Sequence, residues 1–267
     1  GYSGSLYGQG GGSGWSGNWY DQGFGTSPNV VDAALSGVNT VSSTSPLVEY
    51  PLDNSMGGAN VLEAVRNLNA TVSSGAVYVY GLVAVGGASG GSFSTASSFG
   101  GIGLFNGTTE KFLIGQRWQA GYWGATAASS LNGAGADSSS SIETFATTLL
   151  CAKIDFNARM LTLWVNPNFN QGEACAAASA SFNFGNSDAS FNTVRLRAGN
   201  ANNGNKWQFD NIHLTTVSPF APAGPTADVS GSSTICLGGS STISADLTGV
   251  APWIVTWSDG IVQNALS

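Results

Sequence analysis

Charge is scarce in this sequence. Charged residues make up 9% of the 267 positions, against about a quarter in an average soluble chain. The formal net charge is −7, with only eight Lys and Arg. No basic stripe exists to displace phosphate counterions, which excludes nucleic-acid binding. The same shortage argues against docking on an anionic membrane surface. No apolar run approaches the ~20 residues that would cross a bilayer as a helix, so no membrane insertion is expected. Histidine occurs once, at His213. It can form neither a metal cluster nor a catalytic triad with any close neighbour in sequence. Cysteine occurs three times, at Cys151, Cys175 and Cys236, with no CxxC or Cys/His spacing for zinc. Helical periodicity is nearly absent. The best candidate, Ala59 to Asn69, reads either as one or two helical turns or as a Val-rich strand.

Glycine is abundant at 38 residues, yet aromatics reach 10% with eight Trp. Disordered Gly-rich chains lack such aromatics. The combination predicts many short strands, tight turns and a surface made polar by hydroxyls and amides. One hairpin is predicted from Ile102–Phe105 through an Asn106-Gly107 turn to Thr108–Ile114. A second runs from Lys153–Phe156 through Asn157-Ala158-Arg159 to Met160–Val165, each strand with one apolar face. A third pairing is expected between Thr193–Arg197 and Trp207–Leu214, joined by Gly199–Asn205. With Asn29–Leu35, Ala76–Val85 and Tyr122–Ala127, about ten strands precede residue 218. The expected fold is all-β, a two-sheet antiparallel jelly-roll sandwich.

The composition changes at Ser218–Pro225, which packs three prolines into a linker-like stretch. No basic residue follows it. Strands are expected at Ser241–Leu247 and Pro252–Ser258, with Trp253, Val255 and Trp257 on one face. The expected organisation is a sandwich over 1–217, a linker over 218–225 and a partial immunoglobulin-like β-sandwich over 226–267. An immunoglobulin-like domain needs about 100 residues. The segment is therefore expected either to continue beyond Ser267 or to be completed by a neighbouring copy, making a homopolymer through the C-terminal segment. The start at Gly1 fits a processed N-terminus or an excised piece.

Several stretches carry a resemblance. They are Gly1–Tyr7 with Gly14–Trp19, Lys153–Phe156, Leu161–Pro167, Val194–Asn200 and Trp207–Ile212. On these, residues 1 to about 217 resemble a bacterial secreted domain of the concanavalin A-like (laminin-G-like) jelly-roll class. Residues 226–267 resemble the start of an immunoglobulin-like repeat of large bacterial adhesins, on Ser233–Ser240, Leu247-Thr248-Gly249 and Pro252–Gly260. The resemblance implies a modular protein that is secreted, extracellular or at the bacterial cell surface.

Cys151 and Cys175 lie within one short loop of an oxidising-compartment chain, so a disulfide is expected, worth about 3 kcal/mol; two buried thiols are the alternative. Sandwich domains of the resembled class often hold a structural Ca²⁺ with an Asp of the last strand. This implies Asp210, with Asp21 as a second carboxylate; a solvated or hydrogen-bonded Asp210 is the alternative. Trp118, Tyr122 and Trp123 surround Gln119-Ala120-Gly121. They read either as a sugar-stacking surface or as core packing, and Trp15, Trp19 and Tyr20 read the same way. Glycosidases of the resembled class carry a Glu-x-Asp-x-x-Glu strand, which is missing. Glu110, Glu143, Asp155 and Asp210 stand alone in sequence. These observations lead to an expected non-catalytic structural or adhesive module of a large surface, biofilm-matrix or filament protein. Its expected partners are a glycan or neighbouring protein subunits. A carbohydrate-binding module is the alternative, with a glycoside hydrolase third.

Overall fold

The computed structural model describes residues 4–10, 13–21, 28–31, 35, 37–39, 41, 47–50, 61–86, 93–96, 98–199, 206–221, 226–231, 234–248 and 252–266. The chain divides into two compact units. One comprises residues 1–167 and 177–218, the other 168–176 and 219–267.

Fifteen strands of the first unit are described: β1 Gly4–Ser5, β2 Trp15–Asp21, β3 Asn29–Val31, β4 Leu47–Tyr50, β5 Val61–Val72, β6 Ala76–Gly86, β7 Phe99–Asn106, β8 Thr109–Gln116, β9 Tyr122–Ala127, β10 Gly135–Ser141, β11 Thr148–Asp155, β12 Met160–Val165, β13 Ala180–Asn183, β14 Phe191–Gly199 and β15 Lys206–Thr215. They form two antiparallel sheets. Sheet A has the order β1-β3-β4-β15-β6-β11-β12-β13, and sheet B the order β10-β9-β8-β7-β14-β5-β2. The chain crosses between sheets at β1 to β2, β2 to β3, β4 to β5, β5 to β6, β6 to β7, β10 to β11, β13 to β14 and β14 to β15, and stays within one sheet over β3–β4, β7–β10 and β11–β13. This is the expected all-β jelly-roll sandwich. No helix among the described residues is long and apolar enough to cross a membrane.

The core lies between the sheets and follows the period of two that a strand imposes. Val77, Val79, Val83 and Val85 of β6 face Leu62 and Ala64 of β5, Ile102 and Leu104 of β7, and Val194 and Leu196 of β14. Trp207 is fully enclosed, edge-on to Phe93 and Trp123 and stacked on Phe209. A bulge in β15 between Asp210 and His213 inserts one residue, and Asn211 takes φ 51° there. Before it Trp207 and Phe209 point inward; after it Ile212 and Leu214 do.

One open reading is decided, and two local expectations need correction. Residues 61–69 belong to strand β5 rather than to a helix, because Leu62 and Ala64 alternate with Glu63 and Val65 across one sheet. Residues 59 and 60 lie outside the described residues. The β7–β8 hairpin turns one residue later than expected. Asn106 pairs with Thr109, so Gly107 and Thr108 are the central residues, and only Gly107 (φ 58°) has positive φ. Glycine first and a negative φ second is the II′ pattern rather than I′. Finally, β14 and β15 do not pair. The first lies between β7 and β5, the second between β4 and β6. Both are apolar enough for the interior of either sheet, so composition could not separate them. The expected loop between them, apart from Gly199, lies outside the described residues.

Cys151, Cys175 and Cys236 are all thiols, so the expected Cys151–Cys175 bridge is absent. Cys151 is enclosed in mid-strand, opposite Tyr80 and Trp164. Cys175 is exposed in a 3-10 turn, Glu173–Cys175. Sequence spacing gives loop length but not the Cβ approach that a disulfide requires.

In the second unit Phe220 packs edge-on to Phe169, and the Ala221 amide donates to the Phe169 carbonyl at 2.7 Å. Four strands follow: β16 Thr226–Ser230, β17 Ser244–Thr248, β18 Trp253–Thr256 and β19 Val262–Leu266. They make two separate two-stranded ladders. Trp253 and Val255 are half-buried while Ile254 is exposed, as the alternation requires. Residues 222–225 and 249–251 lie outside the described residues.

Candidate functional site

With Leu62, Ala64, Ile102, Leu104, Val194 and Leu196 turned into the core, their neighbours occupy the outward face of sheet B. That face carries Glu63 and Asn67 of β5, Thr193, Arg195 and Arg197 of β14, and Phe105 of β7. The strand register puts Arg195 beside Val65 and Gly103, and Arg197 beside Glu63 and Gly101.

The charged groups are not solvated. Glu63 and Arg195 are each 4% exposed and Arg197 is 9% exposed. Arg195 Nη1 donates to Glu63 Oε2 at 2.6 Å, Arg197 Nε to Glu63 Oε1 at 2.7 Å, and Arg197 Nη1 to Glu110 Oε2 at 2.6 Å. Two cations thus meet two anions. The Arg195 guanidinium lies 3.9 Å from the Phe105 ring centre, and Arg197 lies 5.0 Å from that of Phe99. Gly103 makes this possible, because a Cβ there would stand 2.8 Å from both Arg197 Cδ and the Phe105 ring. Arg195 Nη2 also donates to the Gly107 carbonyl at 2.9 Å, while its buried Nε has no hydrogen-bond partner. At the β2 side, the Tyr7 hydroxyl donates to the Glu63 carbonyl at 3.1 Å and lies 3.4 Å from Asp21 Oδ1. Burial, then the Asp21 carboxylate, raises the Tyr7 phenol well above its usual range.

Next to this network an open groove of about 480 Å³ is lined by Ser16, Tyr20, Asn67, Leu68, Gly107, Thr108, Asn192 and Thr193. Tyr20 is 37% exposed, and its hydroxyl lies 3.2 Å from Asn67 Oδ1. The Thr193 hydroxyl lies 3.1 Å from the same oxygen and 2.9 Å from Asn192 Oδ1. The Gly107 amide donates to Asn192 Oδ1 at 2.9 Å, which fixes the orientation of that amide. The carboxamide oxygens are thereby engaged, which leaves the amide nitrogens as donors. The groove offers an aromatic ring, amide donors and hydroxyls.

The expected aromatic trio separates. Trp118 and Tyr122 are 58% and 48% exposed, with Trp118 tilted against Phe99 at 5.9 Å. Trp123 is 1% exposed and packs on Trp207, so its indole offers no surface. Trp15 and Trp19 are half-buried, with the Arg66 guanidinium 4.9 Å and 5.8 Å from their rings. Of the aromatics considered from sequence, Tyr20 is the one that lines this groove. The two expected calcium carboxylates fall on different sheets. Asp210 on β15 accepts from the Leu35 amide at 3.2 Å, and Asp21 on β2 faces Tyr7. No group of three or more His, Cys, Asp or Glu among the described residues is arranged to hold a metal. Glu110 does not stand alone, since Arg197 ties it to Glu63. Sequence reasoning passed over Glu63, Arg195 and Arg197. The available signal was two arginines at i and i+2 of one strand, hence on one face.

No family model matches the sequence, and no curated protein does. Similar solved structures include an endo-β-1,4-glucuronan lyase from the fungus Trichoderma reesei (TM-score 0.49, 12% identity, 81% of this chain and 95% of that one). Others are an alginate lyase in complex with dimannuronate (TM-score 0.42, 9% identity, 64% and 73%) and a cellulose-induced protein (TM-score 0.42, 13% identity, 70% and 89%). The lyases among them overturn two expectations: that this chain is a non-catalytic structural or adhesive module, and that it is no enzyme. The missing Glu-x-Asp-x-x-Glu strand bears only on hydrolysis by a carboxylate pair.

Proposed function

We propose that this chain recognises a carbohydrate, held in the groove on the outward face of sheet B. The observation that carries the reading is the lining itself. An exposed Tyr20 ring stands beside amides and hydroxyls of Asn67, Asn192, Thr193, Thr108 and Ser16. A sugar ring presents a CH-rich face to an aromatic and a rim of hydroxyls to amides, and this lining supplies both partners. A composition low in charge and rich in hydroxyls and amides supports a secreted setting, where polysaccharide is encountered.

The test is a titration of the folded protein against a panel of oligosaccharides, by calorimetry, with Tyr20→Ala as the variant. Loss of the ring is expected to weaken binding about two- to tenfold, as removal of an aromatic contact worth about 0.5–1.5 kcal/mol implies. An unchanged circular-dichroism spectrum would show that the fold survives. Binding with full affinity by Tyr20→Ala would overturn the placement, and no binding by any panel member would overturn the reading.

A further inference from the structure

We infer that the groove takes a neutral glycan rather than a uronic-acid polymer; this rests on the carbohydrate reading above. None of the lining side chains carries a charge: Ser16, Tyr20, Asn67, Thr108, Asn192 and Thr193 are all neutral. The nearby cations are already committed. Arg195, two residues along β14 from Thr193, is spent on Glu63 and the Gly107 carbonyl, under Phe105. Arg197 is divided between Glu63 and Glu110. Lys111 is buried and donates to the Asp188 carbonyl at 2.7 Å. The network beside the groove is therefore neutral as a set, two guanidiniums against two carboxylates. The protein as a whole carries a net charge of −7.

A uronide carboxylate entering this groove would lose water without meeting an available cation, and burial of an unpaired charge is costly. It would also approach against the long-range field of an acidic protein. A neutral sugar incurs neither cost. Its hydroxyls and ring oxygens can accept from the amide nitrogens of Asn67 and Asn192, whose carbonyl oxygens are already engaged. The groove thus selects by the absence of charge as much as by the groups it presents.

The experiment compares neutral hexa-oligosaccharides of glucose and mannose with oligoglucuronate and oligomannuronate, at about 20 and about 300 mM salt. The expected result is neutral-glycan affinity at least about tenfold above that of the uronides and nearly independent of salt. Asn192→Lys, which adds a cation to the lining, is expected to raise uronide affinity. Uronide binding equal to or tighter than neutral binding, falling with salt, would overturn the inference while leaving the groove as the glycan site. Binding of neither class would overturn the carbohydrate reading itself. Neutral-glycan binding that Tyr20→Ala leaves intact would place the sugar elsewhere and overturn both assignments to this groove.

Discussion

The two outward faces of the sandwich differ in what they enclose. On sheet A, the residues turned away from the core include Leu82, Leu149 and Cys151, all with no exposed surface, and Trp164 at 5%. Each buried aliphatic side chain there contributes about 1.5–3 kcal/mol. On sheet B the outward positions of β5 and β14 hold Glu63, Arg195 and Arg197, 4%, 4% and 9% exposed, beside a buried Val65. A buried ion pair is often no more stabilising than apolar residues of the same volume, because desolvation offsets the Coulombic gain. These apolar positions of sheet A are what stability alone would build. Sheet B's outer face holds a cluster that stability does not need, and the polar groove lies against it.

Breaking the charge balance is expected to have the largest effect. Glu63→Ala leaves two buried guanidiniums with only Glu110 between them. The expected loss is about 3–5 kcal/mol in urea denaturation. The triple substitution Glu63→Leu, Arg195→Met, Arg197→Leu is expected to recover most of it. A loss under about 1 kcal/mol for Glu63→Ala would erase the contrast between the faces.

Leu82→Ala on sheet A is expected to cost about 3 kcal/mol, the usual range for a core leucine although this one points away from the main core. A surface-like cost below about 0.5 kcal/mol would show that this face is not a second packed layer.

The cysteines sharpen the same point at smaller scale. Cys151→Ser puts a hydroxyl into an enclosed site and is expected to cost about 1–3 kcal/mol. Cys175→Ser, on an exposed turn, is expected to stay within about 0.5 kcal/mol. Reducing agent should leave the unfolding transition unmoved, because no disulfide joins the two.

What was legible in the sequence followed from local rules. The strand period placed Ile154, Leu161 and Leu163 on one face, and all three are in the core. The Asn-Gly signal located a hairpin to within one residue. Pairing across sheets was not legible. Thr193–Arg197 and Trp207–Leu214 are adjacent in sequence and apolar in pattern, yet belong to different sheets, because chain reversal does not fix which sheet receives the returning strand. The site was legible only in part. Tyr20 was among the candidate aromatics, but its groove needs Asn67 from β5 and Asn192 from β14, about 50 and 170 residues away. Such convergence is a property of topology. Glu63 was hidden for a related reason: while 59–69 could be a helix, no face could be assigned to it.

The smallest expected effect concerns pH and lies on sheet A. His213 follows the β15 bulge, and its ring stacks on Tyr80 at 4.8 Å with 13° between planes. Its Nε2 lies 2.7 Å from Asn211 Oδ1. Partial burial lowers its pKa from the usual 6.5, since the charged imidazolium loses water on folding. The folded value is therefore below the unfolded one. Between the two values the unfolded chain binds more protons, so stability rises with pH across that window. The contribution is complete above about pH 6.5 and declines as the pH falls toward the folded value. Tyr80 does not titrate in this range, as burial and then the neighbouring Cys151 raise its phenol above 10. His213→Gln keeps a polar side chain beside Asn211 and removes the titration. Its unfolding midpoint is expected to depend less steeply on pH than the parent's between about pH 7 and about pH 5. An unaltered slope in that variant would mean that the pH response originates elsewhere in the sandwich. The apolar face of sheet A would then carry no titrating contribution from its stacked histidine.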